Sequence, residues 1–264
     1  EVFPRDHPQA GRRRFRRAAI SLRKGSAKTE LGAAICAMEL HPDGPVRTVG
    51  WRREGRVWVP IGGPVRDPYI PLLAYTAEQS EELAYGALMV MLGEGRDRDL
   101  FDLGLERIMR RTGDGKAAAL ATAPDTRDGA RTTHELFDEA HRLVLPRQKE
   151  AHRTMLANLP KRRLADAWAL EITTAPSPGE GSVAESTMDY ARLVSQGAKA
   201  DAKLYFFHRQ ASEGHDLSTR EGVRAAVVEA SGPVAAWSDI DGIAEQWDDP
   251  TADRTYLARV WLNQ

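Results

Sequence analysis

The chain has 264 residues, 42% of them hydrophobic and 28% charged, with a formal net charge of −1. That balance is ordinary for a globular protein of one large α/β domain or two small ones, and it excludes a global positive field that would hold nucleic acid. The single cysteine, Cys36, falls on the apolar face of a helical stretch, which excludes a disulfide and a thiolate metal cluster. No segment approaches a membrane span or a signal peptide, so the expectation is a soluble protein of a reducing compartment.

Residues 1–17 are polar, basic and broken by Pro4 and Pro8, and read as an irregular lead-in. Their dense run, Arg12-Arg13-Arg14-Phe15-Arg16-Arg17, and a second, Lys161-Arg162-Arg163, are expected on solvated faces. Residues 18–22 read as a strand and 28–40 as a helix, which Pro42, Gly44 and Pro45 stop. Two β-prone runs, 46–51 and 56–60, flank a Gly55 turn and predict a hairpin. Residues 70–75 read as a buried strand, and Thr76 as the cap of a helix over 77–92. A second hairpin is expected from residues 103–109 and 116–121 around Gly113-Asp114-Gly115. Beyond it come a short strand ending at Asp138, a helix over 147–159, a strand over 167–173 and a helix over 182–196. A strand over 203–208, a helix over 219–230 and two short helices split at Pro250 complete the chain. His134 and Glu135 are expected to interrupt the strand that ends at Asp138. Near-continuous apolar strands alternating with helices predict a mostly parallel sheet covered on both faces.

Three strand ends carry candidate chemistry. The first strand leads through Leu22-Arg23-Lys24-Gly25-Ser26-Ala27 to Lys28-Thr29 at a helix start. That order suits a phosphate cradle: loop and helix amides wrap the phosphates, Lys28 reaches the terminal ones, and the Thr29 hydroxyl ligates Mg²⁺. The strict G-x-x-x-x-G-K-[ST] pattern would place glycine at 22 and 27, where this chain has Leu22 and Ala27. An ordinary strand-to-helix turn with a solvated lysine is the plain alternative. At the second tip, Leu136-Phe137-Asp138-Glu139 supplies an acid for Mg²⁺ and a carboxylate to orient or deprotonate water. At the third, Thr173 and Thr174 could contact the γ-phosphate or the water; a strand-end hydroxyl turn is the alternative there. The seven histidines show no metal-ligand spacing.

With these motifs in place, the chain resembles the large terminase subunit of tailed double-stranded-DNA phages, the ATPase of the genome-packaging motor. The resemblance rests on Ser21 to Glu30, Asp67-Pro68-Tyr69-Ile70-Pro71, Arg127-Asp128-Gly129-Ala130-Arg131, Leu136 to His141 and Thr173-Thr174-Ala175. Together these look like the actinobacterial phage and prophage branch. The resemblance implies a RecA-like P-loop NTPase of the ASCE type, with ATP and Mg²⁺ as cofactors. It implies that residues 24–29 (Lys24, Gly25, Ser26, Ala27, Lys28, Thr29) cradle the phosphates, that Thr29 and Asp138 hold Mg²⁺, and that Glu139 is the catalytic glutamate. Thr173 and Thr174 match the coupling motif. A cis arginine is implied four residues before Lys28; Lys24 stands there and Arg23 one position earlier. A trans-acting arginine is matched by Arg127, eleven residues before Asp138, with Arg131 as the alternate. Gln9 is the candidate for an adenine contact.

Implied partners are duplex DNA held through its phosphates, the portal protein, the small terminase subunit and further copies in a pentameric ring, in the cytoplasm of the bacterial host and transiently on the procapsid portal. The expected layout is an ATPase domain over 1–235 and a helical linker or lid over 236–264, leading towards a nuclease domain that is not in this chain. Asp239, Asp241, Asp248 and Asp249 are read as solvated caps rather than nuclease ligands. Two other readings stay open: a helicase-like translocase, since Asp138-Glu139-Ala140-His141 spells a DEAH box, and a degenerate nucleotide-binding assembly protein that does not hydrolyse.

Overall fold

The computed structural model describes residues 1–75, 83–120 and 129–264. The first strand, β1 (Arg17–Ser21), is five residues long and stable only as one member of a sheet. It lies between β9 (Trp168–Thr173) and β10 (Leu204–His208), parallel to both. β8 (His134–Asp138) pairs with β9, β4 (Tyr69–Leu73) with β8, and β7 (Lys116–Leu120) with β4, all parallel. β6 (Arg107–Arg110) and β5 (Phe101–Leu103) extend that edge antiparallel. The order is β10-β1-β9-β8-β4-β7-β6-β5. The expected second hairpin is therefore β6–β7, built into the main sheet. The first hairpin is a separate pair, β2 (Arg47–Glu54) and β3 (Val57–Gly63).

Consecutive residues of the central strands enter cores on opposite faces, which is why these strands read as unbroken apolar runs. Leu72 and Leu136 pack in one core with Ala33, Cys36 and Leu40 of α1 (Lys28–Leu40) and Leu88 of α2 (Ala84–Glu94). Their neighbours Leu73 and Phe137 pack in the other, with Met155 of α3 (Pro146–Asn158) and Val183 of α4 (Val183–Ser195). Cys36 is fully buried, and burial pushes its thiol well above the usual range. A third core joins α5 (Arg220–Ser231), α6 (Ile240–Glu245) and α7 (Arg254–Leu257, continuing as one π-turn to Leu262) through Val227, Ile243, Trp247 and Leu257. Asp239 caps α6 by accepting from the Gly242 amide at 2.9 Å, and Asp241 pairs with Arg224. The cap proposed at Thr76 lies outside the described residues. No helix among the described residues is long and apolar enough to cross a membrane.

Two features correct the sequence reading. His134 and Glu135 do not interrupt β8; both lie inside it and are buried. Burial removes their charges: it lowers His134 to about 3, and it raises Glu135 to about 8 against a hydrogen bond from Thr132. The run Arg12–Arg17 is not wholly solvated either. Arg13 reaches Glu39 at 2.7 Å, beside the Trp168 indole that also donates to Glu39. Arg17 reaches buried Glu171 at 2.6 Å.

Glu171 also contacts His152 at 3.0 Å and accepts from the Thr187 hydroxyl at 2.7 Å. Burial pushes its carboxyl up, but the His152 hydrogen bond and the Arg17 charge outweigh this and hold it at about 2. Stability from this depressed carboxyl is fully present above the unfolded value of 4.5 and is lost as pH falls towards 2. Arg17→Ala, which leaves Glu171 with only His152 and Thr187 as side-chain partners, should cost about 2–3 kcal/mol at neutral pH in denaturant titration. The loss should shrink as the titration is repeated through that acid window. Unchanged stability at neutral pH would contradict the account.

Candidate nucleotide site

β1 delivers the chain to a loop at the C-terminal edge of the sheet. The Leu22 amide donates to the Thr173 carbonyl at 3.0 Å and so prolongs the pairing with β9. The loop then turns through two left-handed residues, Gly25 at φ +73° and Ala27 at φ 51°, ψ 34°. Ala27 adopts the conformation that the second glycine of the strict motif supplies freely, at a cost of about 1–2 kcal/mol for a residue with a Cβ. Its side chain is exposed, so no protein atom forces the Cβ aside. No side chain caps α1 at this point. The first amides and the positive end of the helix dipole are therefore open to an anion. Gly32 lets α1 approach the sheet: a Cβ there would come within 3.0 Å of Ile172 and 3.1 Å of Leu136.

Lys28 is buried, and its ammonium donates to the Arg23 carbonyl at 3.0 Å. Burial lowers its pKa, opposed by the charges of Glu139 and Asp138. The Thr29 hydroxyl donates to Asp138 Oδ2 at 3.3 Å. Asp138 is 2% exposed, and its other oxygen, Oδ1, is buried without a partner among the described residues. Burial, then the charge of Glu139, pushes its carboxyl up to about 7. A hydroxyl, a carboxylate and an orphaned carboxylate oxygen fit a hard divalent cation, which would neutralise that oxygen. Among the described residues no group of three or more His, Cys, Asp or Glu could hold a metal.

Glu139 follows β8 in the left-handed region, φ 52°, ψ 47°. Its Oε2 lies 3.0 Å from His141 Nδ1. Burial would raise this carboxyl, but the His141 hydrogen bond and charge, together with Lys28, bring it below the ordinary value. The same His141 Nδ1 is 3.1 Å from Thr173 Oγ1 and 3.3 Å from Thr174 Oγ1, and the His141 amide donates to Thr173 Oγ1 at 3.0 Å. His141 thus joins the glutamate to the buried threonines at the end of β9. From the sequence His141 enters only as the end of the Leu136–His141 motif and of the DEAH string, with no catalytic role; its position two residues after the acidic pair is the available signal.

The other expected residues are dispersed. Arg23 is 1% exposed, and each of its three guanidinium nitrogens donates a hydrogen bond. It donates to Ser231 Oγ at 2.5 Å, to the Lys24 carbonyl at 2.6 Å and to Ser238 Oγ. It binds the loop to the C-terminal helices rather than facing the open helix start. Lys24 is exposed; its amide donates to the Val260 carbonyl at 2.8 Å, and its ammonium lies 5.9 Å over the Trp261 ring. Arg127 lies outside the described residues. Arg131 precedes β8, at the opposite end of that strand from Asp138. Gln9 sits in an exposed turn of the lead-in. Asn263 was not foreseen. Its side chain accepts from the Ala175 amide at 2.6 Å and donates to Ser21 Oγ at 3.1 Å and the Arg209 carbonyl at 2.9 Å, pinning the ends of β9, β1 and β10 together.

The overall fold is similar to that of known structures. The chain is similar to the HK97 bacteriophage large terminase, with a TM-score of 0.71 at 15% identity over 95% of this chain and 47% of that one. It is similar to the Thermus phage P74-26 large terminase ATPase domain, with a TM-score of 0.55 at 13% identity over 95% of this chain and 88% of that one. The chain has the RecA-like P-loop fold of phage large-terminase ATPase domains, and the expectation of that fold from the sequence is borne out. It spans about half the length of the HK97 protein. No protein-family model matches the chain, and no curated protein matches it.

Because Ala27 is left-handed and exposed, Ala27→Gly should stabilise the protein by roughly 0.5–1 kcal/mol in chemical denaturation, the relief of strain exceeding the entropy of an unfolded glycine. A destabilised variant would contradict the assigned loop geometry.

Proposed function

We propose that this chain is the ATP-hydrolysing motor domain of a phage large terminase, packaging duplex DNA into a procapsid. The observation that carries the reading is the meeting of Thr29 with Asp138 beside buried Lys28, with Glu139 held over the same edge by His141. The loop and helix amides and Lys28 bind the β- and γ-phosphates of ATP, with exposed Lys24 as the second cation beside them. Thr29 and Asp138 hold Mg²⁺, which when bound screens the charge of the phosphates. Glu139 orients the attacking water and accepts its proton; its depressed pKa keeps it ionised for that task at neutral pH. Arg23 acts by fixing the loop to the C-terminal helices. Arg127 reaches the nucleotide of a neighbouring copy, and the copies form a ring, pentameric by family resemblance. Residues 236–264 serve as a lid or linker. Duplex DNA, the portal protein and the small terminase subunit are the partners, in the host cytoplasm and on the procapsid portal.

His141 would act through Glu139, by orienting it and by linking it to Thr173 and Thr174. Glu139→Gln should bind ATP with little change and lose at least about 100-fold in turnover. His141→Ala should lose roughly tenfold in kcat while nucleotide binding persists. Steady-state phosphate release paired with a binding titration reads both. Undiminished turnover in Glu139→Gln would sink the assignment.

A further inference from the structure

A cavity of about 510 Å³ lies at the N-terminal edge of the sheet, away from the phosphate loop. Six of its lining residues are basic: Arg47, Arg66, Arg131, Lys161, Arg162 and Arg163; the rest are aliphatic and none is aromatic. The segments that carry them precede β4, β8 and β9, and Arg47 opens β2, so the sheet itself draws the charges together. Two of the arginines are held by backbone carbonyls. Arg162 donates to the carbonyls of Asp67 at 2.5 Å and Arg66 at 2.8 Å, and Arg47 to that of Pro64 at 2.9 Å. Backbone carbonyls hold these guanidinium groups in place without neutralising them.

No described carboxylate forms an ion pair with any of the five arginines, unlike Arg13 and Arg17, which face Glu39 and Glu171. Arg66, Arg131 and Arg163 are exposed and make no side-chain hydrogen bond to a described residue. Burial lowers the pKa of Arg162, and the neighbouring Arg131 charge adds to that against Asp67. Like charges crowded in one pocket are relieved by an anion.

We infer that this basic pocket, at the opposite edge of the sheet from Lys28, is a grip for the phosphodiester backbone of duplex DNA. The inference rests on the motor reading for the identity of its ligand. Guanidinium groups from separate segments can each meet a phosphate, and Arg pairs with phosphate through two parallel bonds. With no aromatic side chain on which a base could stack, the pocket reads backbone and not sequence, as suits a paired duplex. Because the two basic sites sit at opposite edges, DNA and nucleotide do not compete for the same cations.

The test uses the full chain and a fluorescently labelled duplex of about 30 base pairs, followed by anisotropy over a salt series. Arg66→Ala/Arg131→Ala/Arg163→Ala should bind at least about tenfold more weakly at 0.1 M salt, and the slope of log affinity against log salt should fall by about one for each contact removed. A control of equal charge change, Arg56→Ala/Arg96→Ala/Arg107→Ala, alters three exposed arginines outside the pocket and should bind as wild type does. Arg163→Glu alone should weaken binding in the same direction. Equal binding by the triple variant and wild type, an equal loss in the control, or no duplex binding by wild type would each overturn the inference. So would a triple variant whose self-association changes while its DNA affinity does not, which would mark the pocket as a subunit contact. Mg²⁺-dependent binding of an ATP analogue, measured in the same samples, separates the two claims: its absence in wild type counts against the motor reading, and its presence beside unchanged duplex binding counts against the pocket alone.

Discussion

The contact between the Thr29 hydroxyl and the Asp138 carboxylate is the constraint on which the rest of the site depends. The two residues are 109 positions apart in the chain and sit on different elements, a helix start and a strand end. They meet only because β1 and β8 run parallel with β9 alone between them, so that both strands end at the same edge. Their meeting gathers Lys28, Asp138 and Glu139 into a poorly solvated space, where each charge alters the others. Burial depresses the lysine and raises the aspartate, while His141 and Lys28 keep the glutamate ionised. A parallel sheet covered on both faces is what makes the space dry enough for those interactions to matter.

The strand between them does more than set the spacing. β9 ends in Thr173 and Thr174, and both meet the His141 ring that holds Glu139. Just beyond, the Ala175 amide is held by Asn263 from the C-terminal segment, which also grips Ser21 at the end of β1. Arg23 ties the loop to Ser231 at the end of α5, and Lys24 ties it to Val260. The glutamate, the phosphate loop and the C-terminal helices therefore share one chain of hydrogen bonds. Under the motor reading proposed above, these bonds are the contacts through which hydrolysis would be linked to movement.

Much of this was legible in the sequence because buried parallel strands advertise themselves. Residues 18–22, 70–75, 167–173 and 203–208 read as strands from apolar runs, and the structure has β1, β4, β9 and β10 there. Lys28-Thr29 at a helix start and Asp138-Glu139 at a strand end followed from local order alone. What was hidden depended on partners distant in the chain. Nothing near Arg23 announces Ser231 or Ser238, and nothing near Arg17 announces Glu171. His134 and Glu135 looked like breaks because their charges were counted, whereas burial makes both neutral inside β8. Ala27 looked like a defect in a glycine motif. The backbone reaches the left-handed conformation without the glycine.

The central claim is that this irregular loop is nonetheless a phosphate site, and equilibrium titration of a fluorescent ATP analogue tests it most directly. The account predicts saturable binding that weakens when Mg²⁺ is removed and is lost in Lys28→Ala, with the variant still folded. Binding that is absent, or indifferent to both Mg²⁺ and Lys28, would contradict it.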